Sequence, residues 1–256
     1  MVCHAPVGGS GVNHGSVTIV DSTRTRRRSA VRSTAALKAA MAVSGLIMVL
    51  FLLVHMYGNL KLFLGQAAFD DYALHLRTIG EPYLPYSGAL WVIRAVLLAS
   101  VLTHIGAALT LWARSRRATD GRGGLRYRSG KARRGVQRSY SSFTLRWGGV
   151  TIALFVVYHL LNLSTDTIHP GGASTSAYRR TVNGFEIWWV VASYSAALLA
   201  VGLHLRHGVW SAFASLGANT SVRRRRALNA WAVAVALVIT VGFLVPPYAV
   251  LFGGIG

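Results

Sequence analysis

Five apolar stretches, at about residues 37–60, 89–113, 144–163, 187–213 and 228–252, are each long enough for the roughly 20 residues that a membrane-crossing helix requires. Hydrocarbon offers no water to an unpaired backbone N–H or C=O, so such segments must be helices that satisfy their own hydrogen bonds. The expected fold is all-α, an integral membrane bundle of five transmembrane helices. A mean hydropathy of +0.44 and only 13% charged residues agree, because a soluble globule of 256 residues needs more polar surface than that.

A net charge of +20 would point to nucleic acid in a soluble protein, so the placement of the 27 basic residues decides. Six lie from Arg24 to Lys38, ten from Arg114 to Arg138 and four in the run 223–226, whereas only Lys61, Arg77, Arg179 and Arg180 fall in the two alternate connections. Arg94, Arg146 and Arg206 lie within the apolar stretches. This is the asymmetry that keeps basic loops in the cytoplasm. It places the N-terminus inside and the C-terminus outside, and it assigns the charge to orientation and anionic membrane lipid rather than to nucleic acid.

Residues 1–35 are rich in Gly, Ser, Thr and Arg without hydrophobic periodicity, and read as a disordered basic tail ahead of a membrane domain at 36–256. They contain no apolar core for a cleaved signal peptide. The single cysteine, Cys3, excludes an internal disulfide, a cysteine-based zinc site and an iron–sulfur cluster held by this chain alone. Cys-x-x-Cys-His is also missing, so any haem would be of the non-covalent b type. The connection 61–88 reads as an outward loop, 114–142 as a basic inward loop, and the run 223–226 as the signal that stops the fourth span inside. The fifth span is expected to end at Pro246, Pro247 and Tyr248.

Ionisable side chains inside a bilayer are costly and mark function, and here His55, His104, His159, His204 and His207 lie in four of the five spans. Depth follows from a rise of about 1.5 Å per residue. His55 lies roughly 27 Å and His159 about 23 Å from the inner ends of their helices, both near the outer face. His104 and His204 lie about 23 Å and 26 Å from the outer ends of theirs, near the inner face. The four sort into two level pairs on different helices, the arrangement that sandwiches a haem iron in a helical bundle. His207, about 4.5 Å nearer the cytoplasm than His204, is left to ligate in its place, to bond a propionate or to touch a partner. Arg94, buried about 9 Å below the outer edge, either snorkels outward or pairs with a propionate. Asn59 shares a face with His55, and Ser44 and Gly45 suit close helix packing.

These motifs, His-Met-Tyr-Gly-Asn at 55–59, Val-Leu-Thr-His at 101–104, Phe-Val-Val-Tyr-His-Leu-Leu at 155–161 and His-Leu-Arg-His-Gly-Val-Trp-Ser at 204–211, resemble the diheme, five-helix membrane-anchor cytochrome b subunit of succinate dehydrogenase and fumarate reductase. The likeness spans roughly residues 37–252 and leaves the tail aside. It implies two b-type haems, a proximal one on His104 and His204 and a distal one on His55 and His159, and it prefers His204 over His207 because of Gly208 one turn on. It further implies a flavoprotein subunit, an iron–sulfur subunit, menaquinone or ubiquinone as electron acceptor, a bacterial cytoplasmic membrane, and a complex whose higher oligomer is open. Succinate would be oxidised on the flavoprotein, not on this chain.

The quinone site is not marked by spacing; Tyr57, Tyr72, His75 and Glu81 are the outer candidates, Ser44 and Arg146 the inner ones. Two other functions compete with the anchor: a self-contained transmembrane diheme reductase, and a transporter relaying protons through histidines without iron. The transporter is disfavoured by the lack of any acid inside the spans, Glu186 sitting at an edge, and by the lack of an inverted repeat.

Overall fold

The computed structural model describes residues 33–120, 135–165 and 167–255. Those residues form seven α-helices and no strand: α1 (Thr34–Leu60), α2 (Gln66–Thr78), α3 (Gly88–Asp120), α4 (Gly135–His159), α5 (Ala177–Phe185), α6 (Trp188–Ser215) and α7 (Val222–Leu251). A 3₁₀ turn, Lys61–Leu64, prolongs α1, and one π turn, Leu160–Ser164, prolongs α4. Helices α1, α3, α4, α6 and α7 are long and apolar enough to cross a membrane, and each holds one expected span.

Their outward faces explain why. Leu50 on α1 is 65% exposed, Leu98 on α3 61%, Leu154 on α4 68% and Trp231 on α7 69%. Large apolar groups left bare on four helices suit lipid, not water. The chain is a multi-pass membrane protein.

Helix α1 lies between α3 on one side and α6 and α7 on the other, while α4 packs on α6. Small residues set the closest approaches, as expected where lipid removes the hydrophobic drive between helices. A Cβ on Gly202 of α6 would run into the Thr240 hydroxyl of α7, and one on Gly242 of α7 would run into the Met56 sulfur of α1. One buried cluster joins Leu205, Ala236 and Ile239 in the middle of the bundle. A second joins Leu62, Tyr178, Val182, Phe185, Val190, Val191, Tyr194 and Val250 at the end capped by α2 and α5. We call that the cap end; the other, where α1 and α7 begin, is the basic end.

Several boundaries differ from the sequence reading. Ser33 caps α1 by accepting from the Ala36 amide, so the helix opens just after Arg32, as its sequence reads, and takes in the last two residues of the segment 1–35; residues 1–32, Cys3 included, lie outside the described residues. The connections that follow α1 and α4 are partly helical. Tyr178, Thr181, Val182 and Phe185 bury one stripe of α5, a 3–4 spacing inside a polar stretch. Helix α6 ends at Ser215, ahead of Gly217, whose φ of +89° leaves the helical region, and the arginines of the run 223–226 come after that end, in the first turn of α7 behind the Ser221 cap. Pro246 and Pro247 lie inside α7, which runs on to Leu251. Each lacks the N–H that would reach the carbonyl four residues earlier, so α7 forgoes two of its own hydrogen bonds there.

Candidate functional site

Two histidine pairs bridge the helices, one toward each end. At the basic end, His104 of α3 faces His204 of α6 with ring centroids 6.2 Å apart and planes inclined by 59°. His104 rests on α1. Its Nδ1 lies 3.1 Å from the Met41 carbonyl oxygen, which can only accept, so Nδ1 carries the proton and Nε2 the lone pair. The Ser44 hydroxyl, donating to the Ala40 carbonyl at 2.7 Å, stands 3.4 Å from the same nitrogen. Gly45 makes room for the ring, since a Cβ there would come 3.3 Å from His104 Cε1. Across the pair, His204 Nδ1 is buried with no hydrogen-bond partner. A Cβ on Gly149 of α4 would lie 3.9 Å from His204 Cε1, so a fourth helix borders the pair.

At the cap end, His55 of α1 faces His159 of α4 with centroids 5.8 Å apart and planes at 82°. Aromatic rings wall it in. Phe51 stacks on His55 at 5.2 Å, Phe243 lies 5.5 Å from it, and Phe155 and Tyr194 lie 5.8 Å and 6.0 Å from His159. His159 Nδ1 is 3.3 Å from the Tyr194 hydroxyl, which is 2.9 Å from Asn162 Oδ1. Asn162, in the π turn, donates from Nδ2 to the Ile168 carbonyl at 2.9 Å.

Two independent rulers separate the pairs. On α1, Gly45 at the first pair and His55 in the second are ten residues apart; on α6, His204 and Tyr194 are also ten apart. Each gives about 15 Å along the bundle.

Among the described residues there is no group of three or more His, Cys, Asp or Glu placed to hold a metal ion. What each pair offers is two imidazoles and nothing more, the ligand set that a planar tetrapyrrole leaves to be filled. Two imidazoles on one metal, with bonds of about 2 Å and ring centres about 1 Å further back, have centroids about 6 Å apart. Separations of 5.8 Å and 6.2 Å match that spacing. In donor type and spacing the residues suit such a group, and His204 Nδ1 makes no hydrogen bond within the protein.

Of the remaining sequence candidates, His207 is exposed, and the ring that faces His104 is that of His204. Arg94 is exposed, its guanidinium 5.0 Å over the Trp91 ring, and contacts neither pair. The Asn59 side chain donates to the backbone carbonyl of His55 at 2.8 Å, so it serves the helix rather than the imidazole. Tyr57 and Tyr72 meet edge to face at 6.4 Å with the Lys61 ammonium 5.2 Å and 5.6 Å from their rings, and His75 and Glu81 are exposed nearby in sequence. Ser44 belongs to the seat of His104, while Arg146 lies 5.9 Å over Trp112, a ring shared with Arg116. Sequence reasoning missed Met41, Gly149, Asn162 and Tyr194. Asn162, three residues after a span histidine, was the one with a readable signal.

No family model matches the chain, and neither does any curated protein or solved structure.

Proposed function

We propose that the chain is the membrane-anchor and electron-transfer subunit of a succinate:quinone oxidoreductase, holding one b-type haem between His104 and His204 and another between His55 and His159. The observation that carries this reading is the pair of cross-helix imidazole couples, stacked about 15 Å apart by two separate helices. Haems held by these two histidine pairs would supply one-electron chemistry, which suits electron transfer.

The chain's own residues divide the work. His104 and His159 each engage Nδ1 in a hydrogen bond inside the protein, which would leave Nε2 as the nitrogen to hold a metal, the way metal-bound histidines are oriented. Gly45 and Gly149 keep side chains away from the imidazoles at the basic end. Phe51, Phe155 and Phe243 keep water from those at the cap end. The basic end faces the cytoplasm and there meets an iron–sulfur subunit, itself joined to a flavoprotein that oxidises succinate. Electrons leave to menaquinone or ubiquinone.

The test is a pyridine haemochrome assay with reduced-minus-oxidised spectra on the purified chain. Two haems per chain are expected, falling to one in His104→Ala and to a different one in His55→Ala. A chain without haem would sink the reading and revive a histidine transporter. Co-purification with a flavoprotein and an iron–sulfur protein is expected; haem without those partners would favour a self-contained diheme reductase.

A further inference from the structure

We propose that Tyr194 and Asn162 are positioning residues that lock His159 as the Nδ1–H tautomer, so that the lone pair of Nε2 is what the cap-end pair offers to a metal. The lock begins at a group with no choice. A backbone carbonyl can only accept, so the Ile168 oxygen must receive its hydrogen bond from Asn162 Nδ2. That orients the amide. Asn162 Oδ1 then faces the Tyr194 hydroxyl at 2.9 Å and must be its acceptor. With its proton committed, the Tyr194 oxygen can only accept from His159 Nδ1 at 3.3 Å.

Reversing the relay fails at every link. Flipping the amide sets Asn162 oxygen against the Ile168 oxygen, acceptor on acceptor. Turning the Tyr194 proton toward His159 strands Asn162 Oδ1 without a donor, in a side chain only 3% exposed, and burial makes such a vacancy expensive. Tyr194 is itself 5% exposed, so water has little access as a substitute. The neighbouring Tyr158 hydroxyl is buried without a partner and makes no hydrogen bond in the relay.

The two pairs therefore differ in kind. At the basic end the tautomer of His104 is set by the Met41 backbone, which no substitution removes. At the cap end it is set by two side chains drawn from the π turn and from α6. An imidazole that donates its second N–H is a stronger ligand than one that does not. Tyr194 thus raises the donor strength of His159 and, where iron is bound, favours the ferric state there.

The tautomer claim stands on hydrogen bonds alone; the effect on a potential rests on the haem reading. The experiment separates them. The full chain is labelled with ¹⁵N-histidine and read by ¹⁵N NMR as purified and reduced, the His159 signal being the one lost in His159→Gln. Protonated Nδ1 and unprotonated Nε2 are expected; in the haem-free chain the preference is lost in Tyr194→Phe and weakened in Asn162→Ala, and in the haem-loaded chain, where the metal itself holds Nε2, the Nδ1–H signal shifts as its hydrogen bond is lost. Redox titration should then show one of two midpoint potentials rising in Tyr194→Phe at unchanged haem content, a smaller rise in Asn162→Ala, and none in Tyr158→Phe. A protonated Nε2 in the parent chain overturns the proposal, and so does a Tyr194→Phe chain in which neither tautomer nor potential moves. A parent chain that carries no haem overturns the proposed function and leaves the NMR result to decide this one.

Discussion

His104 of α3 is seated on α1 at Gly45, where an added Cβ would stand 3.3 Å from the imidazole Cε1. The contact couples the helix that supplies this ring to one that seats it with the Met41 carbonyl, the Ser44 hydroxyl and the space at Gly45. Gly45→Ala asks the ring to give by a few tenths of an ångström and should keep both haems. Gly45→Val crowds it outright, and overpacking of this kind costs about 1–3 kcal/mol. One haem per chain should be lost from that variant, with the spectrum of the other unchanged; full occupancy in Gly45→Val would disprove the seat.

The choice between His204 and His207 is open to a direct comparison. His204 shares the 6.2 Å ring pair with His104 and has a buried, unsatisfied Nδ1, whereas His207 is exposed. His204→Ala should abolish the haem signal of the basic end. His207→Ala should retain it, and the opposite pattern in the haemochrome assay would move the site by nearly one turn.

Outside the membrane, Asp70 of α2 clamps the start of α5. Its carboxylate accepts from the Ser176 hydroxyl at 2.7 Å and from the Tyr178 amide at 3.0 Å. Burial pushes the carboxyl up, but the hydrogen bonds from Ser176, the Tyr178 and Ala177 backbone and Gln66 outweigh it and hold it below the ordinary carboxylate range. A group with a lowered folded pKa stabilises above its unfolded pKa and loses that contribution as pH falls through the folded value. Protection from hydrogen exchange across Ala177–Phe185, taken relative to the intrinsic rate at each pH, should therefore be high at neutral pH and fall only below the usual carboxylate range. Asp70→Ala should show fast exchange already at pH 7, at a cost of about 1 kcal/mol for so open a site.

Charge placement predicts orientation. A reporter fused at the C-terminus should be active outside and one at the N-terminus inside, because 20 basic residues fall in the N-terminal segment and the connections at 114–138 and 223–226, against 4 in the alternate connections. Reversed reporter activities would turn the bundle over and exchange the two pairs between membrane faces.

Arg94 is expected to be dispensable for cofactor retention, since its guanidinium lies over Trp91 and reaches neither pair. Arg94→Gln should keep both haems by the same assay, and loss of either would return it to a propionate role.

Span number, helix length and the level of each histidine were legible in the sequence because all three are local. A bilayer demands about 20 apolar residues and a helix rises about 1.5 Å per residue, so position along the chain converts directly to depth. His55 with His159, and His104 with His204, are therefore sorted by level before any packing is known. Depth says nothing of azimuth. That His104 leans on Met41 and Gly45, that Tyr194 stands between His159 and Asn162, and that His204 rather than His207 faces His104 are set by how α1, α3, α4 and α6 pack on one another. Helices α2 and α5 belong to the same class. Short and polar, they depend on Asp70 meeting Ser176, 106 residues away, and on burying Tyr178, Val182 and Phe185 against α6, contacts that no local pattern encodes.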